Sequence, residues 1–246
     1  MITKVQGKTV SGELSVKACP RLNPLEKAML RWAVVDPEDR VLDACVGRGL
    51  MAEYLRRNMQ CEVCGVSSDM EEVRSARARL QSCDIVYAPV GDIPWREGAF
   101  DTVLMQWKGD ADSLDRMLGE VLRVLKPGGL FITEQIGQRD NRALSRRLLP
   151  EYEPPFPGHC LKNAAEAFRG YGFNILYGQE YFPKLRFNDV GALAYFAHIV
   201  GWEFPGFSVD RCRRELLALN EEVQEMGFIE SLQHRFILVA QKIQTR

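Results

Sequence analysis

No stretch of this sequence approaches the roughly 20 consecutive apolar residues that a membrane-spanning helix needs, and no secretory signal opens it. Those absences lead us to expect a cytoplasmic protein. Charge of one sign is also missing. There are 32 basic and 33 acidic residues, for a formal net charge of -1. The balance removes the electrostatic case for nucleic acid or an anionic membrane as a partner. Local basic clusters at Arg142, Arg146 and Arg147, and at Arg211, Arg213 and Arg214, fall in expected helices and read as solvated faces. Histidine is scarce, at 3 residues, and cysteine is odd in number, at 7. Cys61 and Cys64 make a Cys-x-x-Cys, but they fall in an expected strand. Residues three apart on a strand point to opposite faces. No second pair or histidine cluster completes a metal site, so free thiols in a reducing compartment are the expectation. Nor is apolar material short. At 46% hydrophobic over 246 residues, one large domain can fold without a disulfide or metal staple.

Element signals follow an alternating order. The first twenty residues fit either a small hairpin or an ordered arm. Asn23-Pro24-Leu25-Glu26 reads as a helix start, with Asn23 as cap and Leu25, Met29 and Trp32 on one face. Val41–Asp43 reads as a buried strand, Leu50 to Asn58 as a helix and Cys61–Val66 as the next strand. Ser68-Asp-Met-Glu71 reads as a capping box opening a helix to Leu80. Strands are expected at Ile85–Tyr87, Thr102–Met105 and Leu130–Thr133. Between the last two, Leu114, Met117, Leu118, Val121 and Leu125 mark an amphipathic helix stopped by Lys126-Pro-Gly-Gly129. Beyond a proline-rich loop, Glu151–Gly158, the signals are a helix over Leu161–Arg169, a strand over Asn174–Phe182, helices near Val190–Val200 and Val209–Met226, and a last strand at Arg235–Ala240. Alternation at this spacing predicts an α/β fold with a mostly parallel sheet covered on both faces.

In such sheets ligands bind beyond the carboxyl ends of the strands. The stretch "RVLDACVGRG" puts one acid and then two glycines at such an end. Glycine lets the backbone approach a ligand closely. A dinucleotide-binding turn would need a third glycine where Ala52 stands, and an acid at the end of the second strand. Neither is there.

The stretches "VLDACVGRG", "GVSSDMEEVRSAR", "VGDIPWREGAFDTVLMQW" and "EVLRVLKPGGLFI" run in order from about residue 40 to 135. Together they resemble the class I S-adenosylmethionine-dependent methyltransferases, of the small-molecule type. The resemblance implies a doubly wound, seven-stranded, mostly parallel sheet with an antiparallel last strand, which "HRFILVAQK" fits. It implies one domain, 1–246. Residues 1–39 form an arm and helix, 40–182 the nucleotide-binding core, 183–233 a helical lid between the last two strands, and 234–246 the final strand. It implies S-adenosyl-L-methionine as cofactor. Asp43, Cys45, Gly47 and Gly49 belong to the turn beside its methionine part. Ser67 and Ser68 lie at the ribose, and Asp92 and Ile93 at the adenine. Gln106 and Trp107 border the methyl donor. The family usually has glycine where this chain has Cys45, and an acid where it has Ser67.

The expected lid, Pro183–Gln233, carries Tyr195, Phe196, His198, Trp202, Phe204 and Phe207. These either line a pocket for an apolar or aromatic small-molecule acceptor or pack the lid helices. Trp107 either faces the sulfonium or belongs to the core. Alignment of nucleophile, methyl and sulfur supplies much of the rate of methyl transfer. A base is needed only for a poorly ionised acceptor. His159, His198 and Glu134 are candidates by position; each also has an ordinary reading, as a loop residue, a lid-core histidine and a strand-end acid. The alternatives are methylation of RNA or protein, and a non-catalytic binding protein on the same fold. Against the first, Met105-Gln-Trp-Lys stands where some nucleic-acid enzymes carry an Asn/Asp-Pro-Pro-aromatic motif.

Overall fold

The computed structural model describes residues 3–5, 8–10, 24–107, 111–151, 153 and 157–244, with side chains left out at 3–5, 8–10, 24, 25, 107 and 111–113. Asn23, part of the Glu151–Gly158 loop and the Trp107 side chain lie outside the described residues. The chain forms two compact units. The first comprises residues 1–135, 161–179 and 237–246, and the second 136–160 and 180–236.

The first unit opens with β1 (Thr3–Val5) paired antiparallel with β2 (Lys8–Val10); the rest of the first twenty residues lies outside the described residues. Helix α1 (Pro24–Leu30) follows. Then come β3 (Arg40–Asp43), α2 (Leu50–Met59), β4 (Glu62–Ser67), α3 (Met70–Arg79), β5 (Asp84–Tyr87), β6 (Phe100–Trp107), α4 (Ala111–Val124) and β7 (Leu125–Ile136). Beyond α5 (Arg142–Leu148), which lies in the second unit, α6 (Leu161–Gly170) and β8 (Phe173–Tyr181) return to the sheet. The seven-stranded sheet has the order β5-β4-β3-β6-β7-β11-β8, where β11 is Arg235–Lys242. Strands β5 to β7 run parallel, and β11 is the antiparallel one.

The apolar runs explain this sheet. Val41 and Leu42, Val103 to Met105, and Phe236 to Ala240 are buried on both faces. Continuous burial is the mark of central strands covered by helices on both faces, whatever their direction. Helix α4 buries Met117, Leu118, Val121 and Val124, the spacing of one helical face. Phe131 stacks on Phe168 at 5.3 Å between ring centres, which locks α6 to β7.

In the first unit, β7 and α3 differ from the sequence reading. Strand β7 begins at Leu125, not Leu130, because Leu125 pairs with Phe100. A register shift between Phe100 and Thr102 absorbs the irregular Lys126-Pro-Gly segment, and Lys126 Nζ anchors it on Asp101 Oδ2 at 2.8 Å. Helix α3 is capped by Asp69, whose carboxylate accepts from the Glu71 and Glu72 N–H groups, and not by Ser68.

The second unit holds α5, a two-stranded antiparallel sheet of β9 (Lys184–Phe187) and β10 (Ile229–Leu232), α7 (Val190–Ile199) and α8 (Arg213–Met226). This strand pair went unread in the sequence. Its strands are separated by more than forty residues, so no turn signal joins them. Helix α8 begins at Arg213 and not at Val209, because Ser208 first closes a turn onto Arg211 and Cys212. Leu144, Leu193, Phe204, Leu216, Leu219 and Ile229 build its core, with Phe196 and Phe207 packed against it. Among the described residues, no helix is long and apolar enough to cross a membrane.

Candidate functional site

At the carboxyl ends of β3 and β4 the first unit has a cleft of about 590 Å³. That is the size of a small-molecule or cofactor site. Its walls are the 44–47 turn, Ser67 and Ser68, the 89–92 loop, Gln106, and Glu72, Arg116 and Met117 from α3 and α4.

Backbone bonds build the turn. Ala44 N–H donates to Leu104 O at 2.8 Å, and Val46 N–H to Val66 O at 3.0 Å, so both neighbours of β3 hold it. Its two glycines serve different ends. Gly47 lines the cleft at φ +50°, and a Cβ there would meet nothing nearer than Cys45 O at 3.9 Å. Gly49, at φ +77°, does not line the cleft. A Cβ on it would press on Leu80 Cδ1 at 3.0 Å and on Ala76 at 3.3 Å. Gly47 leaves room beside a ligand, whereas Gly49 lets α3 pack against the turn. Arg79 strengthens that packing: its Nε donates to Arg48 O at 2.9 Å, and its Nη1 pairs with Glu53 at 2.9 Å.

Asp43, the last residue of β3, is buried, and neither of its carboxylate oxygens has a hydrogen-bond partner of good geometry. Burial pushes its pKa up to about 7. The Cys45 backbone opposes this, and the charges of Glu26 and Glu72 add to it. An unpaired buried carboxylate is costly. It becomes favourable once a cation faces it.

At the second strand end, Ser67 Oγ donates to Glu72 Oε2 at 2.6 Å and accepts from Asp69 N–H at 3.0 Å. Glu72 is a site residue that the sequence reading did not single out. Its only signal was an acid five residues beyond Ser67, in a helical first turn where acids are common anyway. The third wall carries Asp92, exposed to solvent. Ile93 is turned away and buried; its N–H donates to Glu120 Oε2 at 2.7 Å. Arg123 completes that clamp by donating to Ile93 O at 2.8 Å and to Trp95 O at 2.6 Å.

The structure therefore brings Cys45, Gly47, Ser67, Ser68, Asp92 and Gln106 to one cleft. Asp43 sits directly behind it in sequence, while Gly49 and Ile93 act as supports. Among the described residues, no group of three or more His, Cys, Asp and Glu is arranged to hold a metal ion.

The proposed bases differ sharply. Glu134 is buried, and its Oε2 accepts from Gln106 Nε2 at 3.1 Å. His198 lies exposed in the last turn of α7. His159 is buried against Phe236 at 5.3 Å between ring centres. Burial, and then the charge of His234, hold its pKa down to about 4. So low a value makes it a weak proton acceptor at neutral pH. In the second unit Phe196 packs on Phe187 and Phe204, which accounts for those aromatics as core. Tyr195 and Trp202 stay at the surface.

Residues 41–129 match the family model described as a methyltransferase domain. The chain is 33% identical over 105 residues to a glycine/sarcosine/dimethylglycine N-methyltransferase of Actinopolyspora halophila, covering 39% of this chain and 18% of that one. It is 33% identical over 105 residues to a demethylmenaquinone methyltransferase of Symbiobacterium thermophilum, covering 39% and 42%. The chain thus spans less than half the length of these two curated relatives. The YcgJ protein of Bacillus subtilis has a similar fold, with a TM-score of 0.64 at 18% identity over 89% of this chain and 98% of that one.

Proposed function

We propose that this chain, whose residues 41–129 match a methyltransferase domain, binds S-adenosylmethionine in the cleft beside Gly47 and transfers its methyl group to a small-molecule acceptor. The observation that carries this reading is the Asp43 carboxylate, buried without a hydrogen-bond partner of good geometry and one residue before the turn that lines the cleft. The chemistry fits, because the ligand brings two cationic groups, an ammonium and a sulfonium. Asp43 and the open backbone at Gly47 would hold the methionine part, Ser67 and Ser68 would face the ribose, and Asp92 would accept from the adenine amino group.

When bound, the cofactor supplies a methyl group already activated on sulfur. The protein's work is then alignment and exclusion of water. Gln106 and the Glu134 that it donates to form the polar pair placed to orient an acceptor. Glu134 is the group positioned to take a proton where the acceptor must lose one.

One measurement tests this reading. Calorimetry with S-adenosylmethionine should give a dissociation constant that depends on pH. A cation favours ionised Asp43, whose free pKa is about 7. Affinity should therefore fall about tenfold per pH unit below that value and be flat above it. Asp43→Asn should weaken binding and abolish the slope. No binding at millimolar ligand would instead favour a non-catalytic scaffold.

A further inference from the structure

Ser67 ends β4 where the resemblance implies a carboxylate, and a hydroxyl is a weaker acceptor than a charged group. The structure supplies a carboxylate nearby. Glu72, in the first turn of α3, lines the same cleft as Ser67 and binds its hydroxyl at 2.6 Å. Its freedom to do so follows from the cap. In a capping box, the third helical residue folds back onto the N–H of the capping residue. Asp69 is the capping residue here, and Glu72 is that third position. The Asp69 N–H is already taken, by Ser67 Oγ at 3.0 Å. Glu72 is thereby released from the cap and held over the cleft by a charge-assisted bond.

Ser67 uses little of what Glu72 offers. An ionised carboxylate has about four lone-pair sites, and Glu72 makes no ion pair among the described residues. Capacity for two further donors remains. A ribose diol presents two such donors side by side.

Resting on the S-adenosylmethionine reading above, we propose that Glu72 is the acid that receives the ribose hydroxyls of the adenosyl ligand, and that Ser67 is the positioning residue that aims it. The acid sits on the helix and its tether on the strand. One consequence runs against simple repair of the motif. An acid restored at position 67 would lie against Glu72, and two carboxylates in contact cannot both ionise without cost. The restored acid should hurt alone and help only when Glu72 is neutralised.

The test is calorimetry of the full chain with S-adenosylhomocysteine and with its 2′-deoxy analogue. Glu72→Gln should weaken S-adenosylhomocysteine binding about 10- to 100-fold and erase the wild-type preference over the 2′-deoxy form. Ser67→Asp alone should also weaken binding. The double variant, Ser67→Asp with Glu72→Gln, should recover most of the loss and regain the preference. A residue that only supports the fold would give neither rescue nor altered analogue preference. Melting of the unliganded variants checks that they fold, and Glu72→Asp, which keeps the charge on a shorter arm, should fall between wild type and Glu72→Gln. Wild-type affinity in Glu72→Gln, with the analogue preference intact, overturns the assignment while leaving the cofactor reading in place. A wild-type chain that binds neither S-adenosylmethionine nor S-adenosylhomocysteine at millimolar concentration overturns both.

Discussion

Replacing Gly49 by valine is expected to cost about 3–5 kcal/mol of stability, through left-handed backbone strain and overpacking together. The backbone at this position has φ +77°, and the new side chain would drive into Ala76 and Leu80 of the neighbouring helix region. Both contacts are tight enough that these neighbours must give by a few tenths of an ångström. Gly47→Val is the matched control. That site has φ +50° but open space around its Cβ, so the stability loss should be smaller. Its ligand loss should be complete, because the same open space is the wall of the cleft. Thermal melts without ligand and calorimetry with S-adenosylmethionine separate the two. Equal melting temperatures for Gly47→Val and Gly49→Val would show that neither glycine is reserved for helix packing.

The second large effect lies in the second unit, and its sign is stabilising. Glu203 is buried among Asp140 and Asn141. Asn141, held at φ +46°, donates to Glu203 Oε2 at 2.7 Å and accepts from Ser231 Oγ at 2.7 Å. Asp140 accepts from the His234 backbone N–H and pairs with Arg235. That pairing leaves Glu203 as the carboxyl that keeps a proton. Burial, and then the hydrogen bond and charge of Asp140, push its pKa up to about 9; Asn141 and Arg235 oppose the shift. An acid with a raised folded pKa binds more protons when folded than when unfolded. Its contribution is therefore full at low pH, declines as pH rises from the ordinary carboxyl range, and levels off above about 9.

Glu203→Gln keeps the shape and an amide that can donate to Asp140, without a charge to bury. At pH 8 we expect a gain of about 1–3 kcal/mol, a higher melting temperature and a flatter stability profile between pH 6 and 9. Urea unfolding at several pH values is the measurement. A destabilised variant that retains the wild-type pH slope would place the titrating proton elsewhere.

How much of this was readable in the chain depends on the range of each interaction. The "VLDACVGRG" turn and the alternating apolar runs mark the parallel sheet, because buried strands and amphipathic helices each impose a short repeat on their own residues. The motif stretches placed Cys45, Gly47, Ser67, Ser68, Asp92 and Gln106, and the structure gathers these six at one cleft. Ile93 shares the motif but not the surface, since its N–H serves Glu120 from another helix. His159 looked like a loop base; burial and the nearby His234, seventy-five residues away, lower its pKa instead.

Local pattern, then, determined the alternation of strands and helices and the position of the glycine turn, and the resemblance implied the seven strands with an antiparallel last one. Tertiary structure decided which glycine faces a ligand and which faces a helix, which acid stands over the cleft, and where a buried proton resides. These are questions of side-chain direction and of contact between residues far apart in sequence. Packing settles such contacts, and no periodicity along the chain records them.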